Sequence, residues 1–348
     1  MEGFDSLGLT APIIQAPMAG VQGAALAAAV SNCGALGSLP CAMLSVEALE
    51  AELSRLAELT SQPFNLNFFC HRDGEESPER YAQWLQLLAP FFEEFGISPE
   101  AIPVGAQRQP FSEAVAEVVE AFRPKVVSFH FGLPEKTLLD RVKSWGTLVL
   151  SSATTVDEGR WLEQHGADAV IAQGLEAGGH RGHFLRDDLE GQMPTRELVS
   201  RCAQQLSVPL IAAGGIALPE DAIEMRRAGA AAVQIGSAYL LADEASTSHL
   251  HREALATERR SETALTNLYT GRPARGIVTR LMRELGAMND KAPVFPLAAN
   301  AVGALRSKAE AQGDDSFTPL WCGERAKPRK ASAAQITETF LRAWAASD

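Results

Sequence analysis

The stretch HGADAVIAQG (165–174) has a counterpart in AGAAAVQIGS (228–237). Each runs from a glycine, Gly166 or Gly229, into a short apolar run and out again at Gly174 or Gly236. A glycine just past a helix end supplies the left-handed backbone that stops the helix, so both stretches read as a helix stop followed by a buried strand. Working outward from this pair, six further apolar runs stand at PIIQAPM (12–18), GALGSL (34–39), FNLNFF (64–69), VVSFHFG (126–132), TLVLSSAT (147–154) and PLIAAGG (209–215). With AVIAQG (169–174) and AVQIGS (232–237) they make eight. Most are apolar nearly throughout rather than alternating, which is the pattern of strands buried on both faces of a parallel sheet. A helix-length stretch follows each run, and eight strand–helix units predict an α/β fold, the (β/α)8 TIM barrel.

The units are not evenly spaced. Between the third and fourth runs lies an extension, roughly 71–125, with helical pieces in PERYAQWLQLLAPFFEEF and SEAVAEVVEAF. The chain is therefore expected to divide into a barrel over 1–245 carrying this extension, and a helical C-terminal lobe over 246–348 that covers the barrel mouth. KPRK (327–330) reads as a solvated linker.

Bulk properties narrow the function. A chain of 348 residues, 46% of them hydrophobic, can bury roughly three-quarters of its unfolded surface. The five cysteines, Cys33, Cys41, Cys70, Cys202 and Cys322, are odd in number, scattered and free of any CxxC pair. That argues against a disulfide scaffold or a structural zinc site, and a reducing cytoplasm is expected. The acidic start MEGFDSLGLT does not read as an export signal, and the most apolar stretch is interrupted by Ser31 and Asn32, so no membrane span is expected. A formal net charge of −12 would repel a phosphate backbone, so nucleic acid is not an expected partner.

In a barrel of this kind the reacting groups come from the C-terminal strand ends, and a phosphate binds at the loops after the seventh and eighth strands. Gly214 and Gly215, then Gly236 and Ser237, stand at those two places. Their backbone N–H groups are unobstructed by bulky side chains and suit an anion. No GxG triplet and no GxxxxGK occurs, which disfavours a dinucleotide or a P-loop ligand. A mononucleotide remains, and flavin mononucleotide (FMN) is the expected cofactor. Gln15, Asn67 and Gln173, at or near strand ends, either hydrogen-bond a flavin edge or cap their strands. Pro17, Met18, Ala19 and Gly20 are suited to lie along a planar ring, or form a simple turn. In AQGLEAGGHRGHF (172–184), Glu176, His180 and His183 have helical metal-ligand spacing, but Gly178, Gly179 and Gly182 oppose a helix and no metal is expected. The glycines instead bring backbone close to a flat ligand and carry His180 to it as base, hydrogen-bond donor or cationic partner. His183 is expected at the surface or behind the first layer. His130, at the end of the fourth run, is a second candidate or a satisfied rim residue. No GxSxG elbow is present.

The ordered set IIQAPMAG, NLNFF, SFHFG, AQGLEAGGHRG, PLIAAGGIA, AVQIGSAYL and TGRPARGI resembles the nitronate monooxygenases, class I. The resemblance implies an FMN-dependent barrel that oxidises alkyl nitronates such as propionate 3-nitronate with O2 to a carbonyl compound and nitrite, through a flavin semiquinone. It implies His180 as the active-site histidine and His130 as a pocket histidine. Flavin contacts fall on Pro17, Met18, Ala19, Asn67, Gln173, Gly178, Gly179, Gly214, Gly215, Gly236 and Ser237. The partners implied are a small anionic nitronate and O2, and there is room for a homodimer. Around 293–307, PVFPLAANAVGALRS lacks the tyrosine and lysine that the family tends to place there. Two other readings compete: an enoyl-acyl-carrier-protein reductase II using NAD(P)H, and a non-catalytic flavin-binding protein.

Overall fold

The computed structural model describes residues 7–72, 74, 77–102 and 108–347; the 71–125 extension thus lies partly outside the described residues. Eight strands form the barrel: β1 (Ile13–Gln15), β2 (Gly37–Pro40), β3 (Phe64–Phe69), β4 (Val126–His130), β5 (Leu148–Ala153), β6 (Ala169–Gln173), β8 (Leu210–Ala213) and β9 (Ala232–Ile235). Each falls within, or one residue beyond, one of the eight apolar runs. They are hydrogen-bonded in the order β1-β9-β8-β6-β5-β4-β3-β2, all parallel. A bridge between Ile14 and Leu36 closes the ring, with Gln15 N–H donating to the Leu36 carbonyl at 2.9 Å and Leu36 N–H to that of Ile13 at 2.9 Å.

Burial on both faces explains why the runs do not alternate. Ile14, Leu150, Ile171, Ile211 and Ala232 belong to one buried cluster, the barrel interior. Their strand neighbours Ile13, Val170, Ala212 and Val233 belong to another, shared with the surrounding helices. Helix starts carry the polar caps that the sequence offers. The hydroxyls of Ser45, Ser112 and Thr155 accept from the N–H groups of Ala48, Val115 and Glu158, each cap worth about 1 kcal/mol.

Two features depart from the sequence expectation. The segment after residue 246 is not all helical: β10 (Thr263–Thr266) and β11 (Ala274–Ile277) pair antiparallel, and β11 also pairs with the two-residue strand β7 (Gly179–His180). Two residues have no readable periodicity, and the pairing spans most of a hundred positions. The closing helix Ala333–Ala345 packs on the outside of the barrel, with Ile336, Phe340 and Trp344 in the cluster that holds Leu26 and Met225. The extension and the tail share one core instead, in which Trp84, Leu88 and Phe91 meet Leu268, Leu305 and Phe317. Among the described residues no helix is long and apolar enough to cross a membrane.

Candidate active site

A cleft opens at the C-terminal ends of the strands. Pro17, Met18, Ala19, Asn67, His130, Gln173, Gly178, Gly179, His180, Gly214, Gly215, Gly236 and Ser237 all line it. Sequence reasoning thus brought together residues from six strand ends, yet the side chains do not all point as expected.

His180 is held by backbone, on a strand and not on a helix. Gly179 takes φ +73°, a conformation glycine adopts without the cost other residues carry, and His180 then pairs with Ala274 across β7 and β11. Its Nε2 lies 2.9 Å from the Thr270 hydroxyl. Nδ1 makes no hydrogen bond with the described residues. The ring sits among Phe295 and Trp321, each 5.6 Å away between centroids, and Phe131 at 6.1 Å. Burial first, then the positive charge of Arg108 and the neighbouring His130 and Arg272, hold its pKa well below the ordinary histidine value. The ring is therefore neutral, which speaks against the cationic role among those considered for it.

His130 is fixed on both sides. Its Nε2 faces the His180 carbonyl at 3.2 Å and its Nδ1 the Ser152 hydroxyl at 3.0 Å. A carbonyl only accepts, so Nε2 carries the proton and Nδ1 accepts from Ser152. Burial, reinforced by Arg272, pushes its pKa down to about 3. A Cβ on Gly182 would stand 2.7 Å from its Cε1, which accounts for the third glycine of the loop. Phe131, next in the chain, is held at φ +70°. Such strain persists only where the surroundings impose it, and here the Arg272 guanidinium covers the ring at 4.1 Å.

The amides do structural work. Gln173 donates to the His180 carbonyl at 2.9 Å and accepts from Gly182 N–H at 2.8 Å, so both ends of its side chain clamp the loop while the residue lines the cleft. Gln15 is fully buried, bonded to Gln22 at 2.6 Å and to Ser38 N–H at 3.0 Å, and does not line the cleft. Asn67 donates to Ser128 Oγ at 2.9 Å. His183 is buried, not at the surface, and its carbonyl accepts from Arg272. Glu176 accepts from Thr195 N–H at 2.9 Å and its hydroxyl at 2.8 Å. Arg181 is fully buried and donates to the carbonyls of Gly174 at 2.6 Å and Gln173 at 2.8 Å, tying the end of β6 to the loop.

A second group of residues is built from glycine. The N–H groups of Gly215, Gly236 and Ser237, three half-buried residues of the cleft lining, have no partner among the described residues. A Cβ on Gly178 would lie 2.6 Å from the backbone of Cys322 and Gly323, while Gly323 N–H donates to Ser237 Oγ at 2.9 Å. Thus Trp321, Gly323, Arg325 and Ala326 complete the cleft from the tail. Sequence reasoning missed them, and Arg108 and Thr270 as well; only Thr270 lay in a stretch already singled out, TGRPARGI.

Against known proteins, the model of the family described as nitronate monooxygenase matches residues 4–342. The chain belongs to the nitronate monooxygenase family. A nitronate monooxygenase of Pseudomonas aeruginosa is 40% identical over 341 residues, covering 96% of each chain. The crystal structure of a nitroalkane oxidase from Streptomyces ansochromogenes superposes with a TM-score of 0.91 at 34% identity, over 99% of this chain and 98% of that one. A FabK from Thermotoga maritima is less similar, with a TM-score of 0.72 at 25% identity over 99% and 96%. For this monooxygenase family member the TIM barrel is thus shared with solved relatives across the whole length.

Because buried histidines stay neutral in this fold, acid should destabilise it. Unfolded histidine titrates near pH 6.5, whereas His130 and His183 are pushed by burial to about 3, and His251 to about 4. Below pH 6.5 the unfolded chain takes up protons that the native chain refuses, so stability falls as pH drops toward 4. The melting temperature is expected to decline steadily from pH 7 to 5; a flat profile there would contradict the neutral assignment.

Proposed function

We propose that the cleft binds FMN and that the protein oxidises alkyl nitronates, propionate 3-nitronate among them, with O2 to a carbonyl compound and nitrite. The observation that carries this reading is the neutral, hydrogen-bonded His180 held over a cleft whose other residues include three free backbone donors. Those donors and the glycines around them fit the phosphate of a mononucleotide, and Gly179, where an added Cβ would meet nothing within 4 Å, leaves open space beside His180. FMN would be held by Gly215, Gly236 and Ser237 at its phosphate and by Pro17, Met18, Ala19, Gly178 and Gly214 along its length. Once bound, the flavin supplies the electron acceptor that passes reducing equivalents from nitronate to O2.

The chain's own residues do the rest. His180 presents Nδ1 to the substrate as a hydrogen-bonding atom, while Thr270 holds Nε2. His130 acts through His180: it takes the His180 carbonyl, fixing the backbone that carries the ring. The aromatic walls exclude water and the neighbouring arginines favour an anion. Five free cysteines suit a reducing cytoplasm. Thr270→Val is expected to keep the flavin and lower kcat about tenfold, the usual scale for a group that orients a functional side chain; an unchanged kcat would show that the hydroxyl does not orient the ring.

The reading is tested by oxygen uptake. Purified protein should be yellow, release FMN on denaturation, and consume O2 on addition of propionate 3-nitronate without NAD(P)H. Turnover of an enoyl thioester that requires NAD(P)H would select the reductase reading instead. A protein that refuses FMN would exclude both.

A further inference from the structure

One charge in the cleft has no counterpart among the described residues. Two arginines line it, Arg325 and Arg108. Arg325 faces Asp221 at 3.2 Å. Arg108 forms no ion pair with any described residue, and its Nη1 is buried without a hydrogen-bond partner. Burial lowers its pKa and no acid opposes that shift. Glu176, the acidic side chain lining the cleft, has its Oε2 committed to Thr195. Arg108 as a whole is half-buried, but Nη1 is a donor turned away from water with nothing to receive it, and such a donor is costly until an acceptor completes it.

The surroundings indicate which anion. Arg108 lies over Phe295, 5.6 Å from its centroid, and the same ring stands 5.6 Å from His180. Phe69 and Phe131 close the wall, 6.4 Å and 5.5 Å from Phe295. His180 and Arg108 thus line one cleft and rest on the same buried aromatic cluster, the first with a neutral hydrogen-bonding ring and the second with a fixed cation. Guanidinium presents a planar fork of donors that matches a carboxylate. We infer that Arg108 anchors a second anionic group of the substrate, a carboxylate at the opposite end from the carbon that reacts beside His180, and so selects nitronates bearing an acid tail over those with an alkyl tail. This rests on the nitronate reading of the site.

The test compares propionate 3-nitronate with propyl 1-nitronate, equal in chain length but neutral at the tail, in wild type, Arg108→Gln and Arg108→Lys. In Arg108→Gln, KM for the acid substrate should rise about 100-fold, in line with the loss of one partner from a buried charge pair, with kcat little altered and the alkyl substrate little affected. Arg108→Lys should recover part of the loss. Equal losses on both substrates would place Arg108 at the nitronate oxygens, and no loss on either would remove it from binding; each result overturns the inference. Unchanged flavin content and melting temperature check folding, and should Arg108→Gln fail them, the Lys variant and the wild-type preference for the acid tail decide. If wild type oxidises neither nitronate, the functional reading fails by itself. The anion site is then still read by a flavin absorbance or calorimetric titration with 3-nitropropionate, which wild type should bind and Arg108→Gln should not.

Discussion

His180→Asn is expected to yield a folded, yellow protein whose kcat/KM for a nitronate falls by about 10²–10⁴, the range associated with losing a positioned hydrogen-bonding or proton-transferring side chain. The reason lies in how little else depends on that ring. Its backbone is held by the pairing of His180 with Ala274 and by Gln173 on its carbonyl, neither of which needs the imidazole. Asparagine can still approach Thr270, but it is shorter and cannot present a ring nitrogen beyond the Nε2 contact at 2.9 Å. Flavin content, read from the visible spectrum, should stay near one per chain while steady-state oxygen uptake collapses. Full turnover in this variant would remove His180 from the chemistry.

The second large effect is expected at the glycine loop, where two adjacent positions should fail differently. In Gly178→Ala the new Cβ would stand 2.6 Å from the Cys322 carbonyl carbon and the Gly323 nitrogen. Both are backbone atoms and cannot swing aside, so the tail segment 321–326 must move off the loop, at the 1–3 kcal/mol typical of overpacking. That segment lines the cleft and donates Gly323 N–H to Ser237. Melting temperature and FMN affinity should therefore fall together. In Gly179→Ala no atom lies within 4 Å of the added Cβ, leaving only the left-handed backbone, which costs alanine roughly 1 kcal/mol. Its fold should survive while the methyl intrudes on the ligand. Differential scanning fluorimetry with and without FMN separates the two; equal melting temperatures for Gly178→Ala and wild type would show that the tail does not rest on the loop.

The barrel was legible because its strands are covered on both sides, so Val170 and Ile171, neighbours in sequence, fall in different buried clusters and both must be apolar. The glycine pairs were legible because their places after the last two barrel strands follow from the fold. Side-chain direction was not. Gln173 reads by position as either a ligand contact or a strand cap, and nothing local shows that both its polar ends bond the loop seven to nine residues on. His130 reads from sequence as either a second candidate or a satisfied rim residue, and only the structure shows that both its nitrogens are bound. Contacts across long separations left no local trace: Thr270 meets His180 from 90 positions away, and Trp321 and Gly323 reach the cleft from the tail. Arg108 sits in GAQRQPF, where nothing in spacing or neighbours distinguishes a cation lining a cleft from a solvated one.

Anaerobic mixing tests the central claim most directly. Purified protein in its yellow, oxidised form is expected to lose its absorbance near 450 nm on addition of propionate 3-nitronate alone, and to regain it when air is admitted, with nitrite released. A spectrum unmoved by the nitronate, but bleached by NADPH, would contradict it.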